Sequence, residues 1–356
     1  MLYKMPAIVS INAIYNVILR DINNMYRGRN KDEQIIISLV DTIRIDSNAL
    51  LIFVGLLNKL SNKCNKPIFL ELLYKPKLLG FLDSVRFFEI LSKLRIIEYD
   101  KELIGGFSSY HFNEIHKIHF HSPIMEYEKK SEIEKLLIRD EQGKILRMHV
   151  QSKYINSIRK FRLSDQEKYI IEMAISEIIL NAQIYSGSYC FEYLQTGIKF
   201  QNNKKGILFS VVDVGKGFKN SLIEKLEIGQ YCFADKSKFE RAVDEIGIDR
   251  KQFGDYLTIM EALYFSQIQP REVNLYNLKN ELIYNHANFR IHFNTTQISF
   301  AYKTCYKCTS RDILNCLSCA YKNTITQQNL SKRPIKIYPT ALSGVHIEME
   351  FILEES

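Results

Sequence analysis

No stretch of this 356-residue chain is apolar for long enough to cross a bilayer. The longest apolar run, Ala49 to Leu57, falls far short of the ~20 residues that a crossing helix needs. A cleavable leader is not expected either. Asn12 and Asn16 interrupt the N-terminal apolar stretch, and no small-residue cleavage site follows it. A cytoplasmic setting is therefore expected, and in that setting the seven cysteines read as thiols or metal ligands rather than disulfides. A large excess of one charge is also lacking. The net charge is +8 and the pI near 8.9, which permits contact with nucleic acid or an anionic surface but does not demand it.

What is present is ordinary for a globular protein. Hydrophobic residues make up 46% and charged residues 25%, so a core can form, and the length suits two domains, or three with a small one. From about residue 5 to 105 the pattern alternates strands and helices. Gln34 to Val40 and Pro67 to Leu73 have strand length and apolar character. Asn48 to Leu60 and Leu78 to Leu94 have helical spacing, and Ile96 to Tyr99 reads as a short strand. Such alternation predicts helices packed on a mostly parallel or mixed sheet, an α/β architecture. Asp46 or Ser47 can cap the helix at Asn48. Gly105-Gly106 predicts a turn. His111, His116, His119 and His121 are close in sequence, but their spacing fits no metal motif. Glu128 to Arg139 reads as a charged connecting helix within a 106–150 connector.

The segment IIISLVDTIRIDSNALLIFVGLLNKLSNKCNKPIFL resembles the STAS fold of anti-anti-sigma factors, in which a buried strand leads into Asp-Ser-Ser-Gly and a helix. Asp46, Ser47, Asn48 and Ala49 stand at those positions. Asn48 replaces the second serine, which carries the family's regulatory phosphate. The resemblance implies a STAS-like domain over residues 1–105.

Further along, Ile171, Ala174, Ile175, Ile178 and Ala182 form an apolar stripe at helical spacing, and Glu177 and Asn181 sit one turn apart at its edge. A carboxylate and an amide against a core are costly without partners. Two strand candidates follow, Tyr189 to Phe200 and Ile207 to Val212, joined by a polar turn. The second ends in Asp213-Val214-Gly215-Lys216-Gly217, where a carboxylate can face a ligand above a tight turn. A Glu-x-x-x-Asn helix, a hairpin and Asp-x-Gly-x-Gly together resemble the nucleotide boxes of the GHKL superfamily, the gyrase, heat-shock-protein, histidine-kinase and MutL-type ATPases.

The resemblance implies an ATP-binding two-layer α/β sandwich over residues 151–356, with a lid at about 219–275. Asn181 would coordinate magnesium, and Glu177 would act as general base. Asp213 would accept from the adenine amino group. Gly215 and Gly217 would let the backbone approach base and ribose. The family's Gly-x-Gly-Leu turn corresponds to Glu272-Val273-Asn274-Leu275, and its Gly-Thr to Gly344-Val345, so both phosphate-clamp glycines and the threonine are replaced. ATP and Mg2+ are the implied cofactors. The implied activity is a nucleotide-dependent switch with slow or partner-dependent hydrolysis, acting with a protein partner or as a homodimer. A protein serine kinase or a non-hydrolysing adaptor are the alternatives.

Cys305-x-x-Cys308 and Cys316-x-x-Cys319, seven residues apart, can offer four thiolates to one zinc ion in a loop insertion spanning 303–322. Cys64, Cys190 and Cys232 read as buried thiols. Around the zinc loop, Lys303, Lys307, Arg311, Lys322, Lys332, Arg333 and Lys336 alternate with Tyr302, Tyr306 and Tyr321. That pattern suits nucleic acid and a solvated loop alike.

Overall fold

The computed structural model describes residues 1–27, 33–104, 117–155, 158, 163–199, 205–269, 274–301 and 312–352. The fold is mixed α/β. Strands β1 (Leu2–Lys4), β3 (Ile36–Ser38), β5 (Ile68–Glu71) and β6 (Ile97–Tyr99) form a parallel sheet in the order β1-β3-β5-β6. A smaller parallel pair joins β2 (Ile8–Val9) to β4 (Arg44–Ile45). After β2 the chain runs through a helical turn, a π-helical segment (Ile14–Ile18) and helix α1 (Leu19–Arg27).

Helix α2 (Ser47–Cys64) is the centre of this unit. Its backbone N-cap is Asp46, whose side chain makes no capping bond and pairs with Arg44 Nε at 3.0 Å instead. It ends at Asn65 in the left-handed conformation, whose N–H reaches back to the Ser61 and Asn62 carbonyls. The 3–4 spacing predicts one apolar face, yet every residue from Ala49 to Asn58 is buried. The reason is that α2 lies between its own sheet and the back of a second one. Gly55 permits the close approach, since a Cβ there would sit 3.1 Å from a Val212 methyl. Phe191, Tyr193, Val212, Tyr338 and Leu342 of the second sheet complete the core of the first unit.

The predicted helix over Leu78–Leu94 is two helices, α3 (Pro76–Ser84) and α4 (Phe87–Lys93). Arg86 between them is left-handed at φ 62°. The break buries Val85, Phe87 and Phe88 together, which a straight helix would spread around its circumference.

The second sheet is antiparallel, in the order β10-β11-β9-β8-β7. It comprises β7 (His119–His121), β8 (Cys190–Lys199), β9 (Lys205–Asp213), β10 (Asn288–Ala301) and β11 (Ile335–Ile352). The stretch expected to be a connector supplies the edge strand β7 and helix α5 (Glu132–Val150), which packs on α6 (Asp165–Tyr185). Reciprocal capping boxes start both helices, Ser131 with Glu134 and Ser164 with Glu167.

The stretch expected to be a lid is also structured. It contains α7 (Gly217–Glu227), α8 (Phe233–Ile246) and α9 (Arg250–Ile268). Tyr256, Ile259, Met260 and Leu263 of α9 are core residues, so α9 belongs to the helical layer and does not cover it. Helix α10 (Leu275–Tyr284) follows.

Cys316 and Cys319 lie on helix α11 (Ile313–Thr326), capped by Asp312, and not in a loop. Ile313, Leu317 and Ala320 anchor this helix in the core. Cys232 is exposed, not buried, and its sulfur accepts from the Asp235 N–H as the N-cap of α8. No helix of the described residues is long and apolar enough to cross a membrane.

Candidate functional site

A cleft with about 1040 Å³ of free space, its open mouth included, lies between the front of the antiparallel sheet and its helices. Val211, Asp213, Val345 and Ile347 form the floor. Helix α6 gives Glu177, Ile178, Asn181, Ala182, Tyr185 and Ser186, and α7 gives Phe218, Ser221, Leu222 and Lys225. Ala262, Phe265 and Ser266 of α9 close another side, with Asn274 and Leu275 at the start of α10 and Arg139 of α5. Residues spaced over more than half the chain thus meet on one cavity of a size that suits a small ligand.

Glu177 is buried at the inner edge of α6. Its Oε1 accepts from Arg139 Nη2 at 2.6 Å and from Asn181 Nδ2 at 3.0 Å. The helical i,i+4 spacing makes the second contact possible. Fold topology makes the first, across 38 positions. With its N–H2 engaged, the Asn181 amide turns its carbonyl oxygen the other way, the kind of hard ligand that magnesium takes. Burial works against the charge of Arg139, and the Glu177 carboxylate together with the Tyr185 and Tyr127 hydroxyls outweighs it, so the guanidinium pKa is raised.

Asp213 ends β9 and is buried. Burial pushes its carboxyl from the ordinary 3.8 up to about 7, against the opposing hydrogen bonds of the Gly215 and Val345 N–H groups. The Gly215 bond measures 3.0 Å. Three glycines hold this turn, each for a packing reason. A Cβ on Gly215 would lie 1.9 Å from the Ser186 carbonyl oxygen. Gly217 sits at φ +68°, and a Cβ there would meet the Phe293 ring at 2.6 Å. Gly344, at φ +98°, faces the Asp213 carbonyl, with 2.0 Å left for a Cβ. Only residues without a side chain fit such approaches.

The Lys216 N–H donates to the Ser186 carbonyl at 2.9 Å, which docks the Asp213 turn against the end of α6. Glu177 lies nine residues before Ser186, or about 13 Å along a helix. The Asp213 turn therefore meets α6 well past Glu177, and both carboxylates line the cleft. Asn274 caps α10, its Oδ1 accepting from the Asn277 N–H at 2.9 Å. The helix N-terminus that follows opens on the cleft, a position suited to anions.

The sequence-predicted residues Glu177, Asn181, Asp213, Gly217, Asn274 and Leu275 all line this cleft, and Gly215 and Gly344 support its floor. Glu272 and Val273 lie outside the described residues. So do Cys305, Cys308, His111, His116 and the basic and aromatic residues from Tyr302 to Arg311. Cys316 is buried, 3.6 Å from Lys279 Nζ, and Cys319 is disulfide-bonded rather than a thiol. Tyr321 is half-buried and packs against Phe253 with the rings perpendicular and their centroids 5.2 Å apart. Arg139 was missed in the sequence, because a charged helix with an arginine at its middle looks like any solvated connector.

No family model, curated protein or solved structure matches this chain.

Proposed function

We propose that the chain binds ATP with magnesium in this cleft and works as a nucleotide-dependent switch that turns over slowly by itself. The observation that carries the reading is the spacing of two unlike ends. At one, Glu177, Asn181 and Arg139 gather acceptors and a cation suited to phosphate and metal. At the other, the buried Asp213 acceptor stands beside the apolar Val211, Val345 and Ile347. The turn that carries Asp213 meets α6 about 13 Å along the helix from Glu177, which suits an extended nucleoside triphosphate. Asp213 would accept from the adenine amino group. Guanine would present a carbonyl there and leave a buried acceptor unpaired, at a cost on the order of 2–4 kcal/mol.

Asn181 would hold magnesium, and Glu177 would orient the attacking water. Slow turnover has two supports. The phosphate-clamp glycines of the family it resembles are replaced near Asn274 and Leu275, and side chains there restrict the approach of backbone donors to the transition state. Glu177 is also held by Arg139, and a carboxylate in a tight ion pair is a weak base until that pair opens.

The same proposal gives the STAS-like N-terminal unit the role of transmitting the nucleotide state, since α2 rests on the back of the strand that carries Asp213. Ile133, Leu136 and Leu137, and beyond the exposed Asp140–Lys144 pair Ile145 and Met148, are exposed on α5, a surface that a protein partner or a second copy could cover. In the reduced chain Cys316, with Cys305, Cys308 and Cys319, would hold zinc as a structural ion. Calorimetry with ATP and GTP in the presence of Mg2+ tests the central claim: ATP should bind at least about tenfold tighter, and equal affinities would overturn the assignment of Asp213. Transfer of labelled phosphate to protein, rather than its release, would identify a kinase.

A further inference from the structure

We propose that His119, His121, His149 and Glu192 form a binding site for one divalent transition-metal ion of the zinc class, distinct from the nucleotide cleft and from the cysteine cluster. The four residues come from three elements. In the β7–β8 ladder His119 stands opposite Glu192 and His121 opposite Cys190. Side chains two apart on a strand share a face, so both histidines project to the side of the sheet that Glu192 occupies. His149, one residue from the end of α5, comes down on the same point. Its ring meets those of His119 and His121 edge-on, with centroids 5.0 and 5.4 Å away. One ligand atom each of His119, His149 and Glu192 lies within 4.8 Å of the others.

The partners of Glu192 show what is lacking. The side chain is fully buried. Its Oε1 receives the Tyr154 hydroxyl at 2.8 Å and faces His149 Nε2 at 2.5 Å. His121 Nε2 is 3.3 Å from the same oxygen but out of line for a hydrogen bond. Glu192 Oε2 is buried with no hydrogen-bond partner. No lysine or arginine of the described residues pairs with this carboxylate. A buried carboxylate is ordinarily paired with a cation or coordinates a metal.

A dication would supply the charge and take up the unpartnered atoms. Three imidazole nitrogens and one carboxylate oxygen suit zinc and its neighbours, whereas calcium and magnesium prefer all-oxygen sites. Tetrahedral zinc with bonds near 2.0–2.1 Å needs donors about 3.3 Å apart, which side-chain rotations can reach from the present spacing. His119, His121 and His149 are only partly buried, so an ion has a way in. A second grouping, His292, His346 and Glu348, is less suited, because Arg290 Nη1 already sits 3.2 Å from the Glu348 carboxylate.

The full chain, stripped with a chelator and reloaded with Zn2+ or Co2+ alone, tests the site. X-ray absorption at the zinc edge, together with the cobalt spectrum, separates nitrogen/oxygen from thiolate coordination. One equivalent with nitrogen/oxygen ligands is expected, free of thiolate-to-cobalt charge transfer. His119→Ala combined with His149→Ala should weaken that equivalent by at least about a hundredfold and leave any sulfur-bound ion in place. If the double variant loses its near-ultraviolet circular dichroism, Glu192→Gln, which keeps the shape and removes the charge, decides in the same way. A wild-type chain without a nitrogen/oxygen-bound ion at micromolar zinc, or variants that bind it as tightly, would overturn the proposal.

Discussion

Replacing Asp213 by asparagine tests the electrostatics of the cleft most directly. In the unfolded chain this carboxyl ionises near its ordinary 3.8, and in the folded chain at about 7. Between those values the folded protein keeps a proton that the unfolded chain has released. The resulting stability is fully present below the unfolded value and is lost as pH rises through 7. A difference of about three units corresponds to about 4 kcal/mol. Asp213→Asn removes the charge without changing the shape. One of its two oxygens becomes a donor and turns against a backbone N–H, which costs about 1 kcal/mol. The ligand-free variant should therefore be about 3 kcal/mol more stable than the parent at pH 8, and no more stable near pH 4. Urea denaturation of both proteins at intervals from pH 4 to 8.5 reads this difference. The variant should bind ATP more weakly despite its greater stability, because an amide is a poorer acceptor than a carboxylate. Equal stabilities at pH 8, or parallel pH profiles, would show that Asp213 is solvated and ionised and would refute the reasoning.

Three other perturbations follow from the same geometry. Glu177→Gln should abolish residual phosphate release in single-turnover assays while ATP affinity measured by calorimetry stays within about threefold, whereas Arg139→Ala, which takes the cation away from a buried carboxylate, should cost on the order of 3 kcal/mol in urea denaturation. Gly344→Ala places a Cβ against the Asp213 carbonyl at a φ disfavoured for L-residues; it should destabilise the protein by more than about 2 kcal/mol and lower ATP affinity, and a wild-type urea midpoint would show that β11 can shift away.

Local chemistry made much of the molecule legible in the sequence. The spacing of apolar residues places α6, and its i,i+4 geometry brings Glu177 beside Asn181 whatever the rest of the chain does. Asp213 at a strand end before two glycines was visible as a turn that a side chain could not enter. The alternation of strands and helices before residue 105 predicts the α/β class, because that order leaves few other ways to bury each element.

What the sequence could not determine depends on contacts between distant elements. Helix α2 reads as one-faced, and only the second sheet on its other side explains why it is buried all round. Leu78–Leu94 has a continuous helical pattern, yet the need to bury Val85, Phe87 and Phe88 together breaks it at Arg86. Cys316 and Cys319 looked like part of a loop because the pattern of ligand spacing says nothing of the backbone between. Arg139 meets Glu177, and His149 meets Glu192, through the packing of α5 over the sheet, while His119 and His121 reach Glu192 through the pairing of β7 with β8. Periodicity reports which side of an element faces inward. It carries no information about which other element lies there, and for buried charges that partner decides the chemistry.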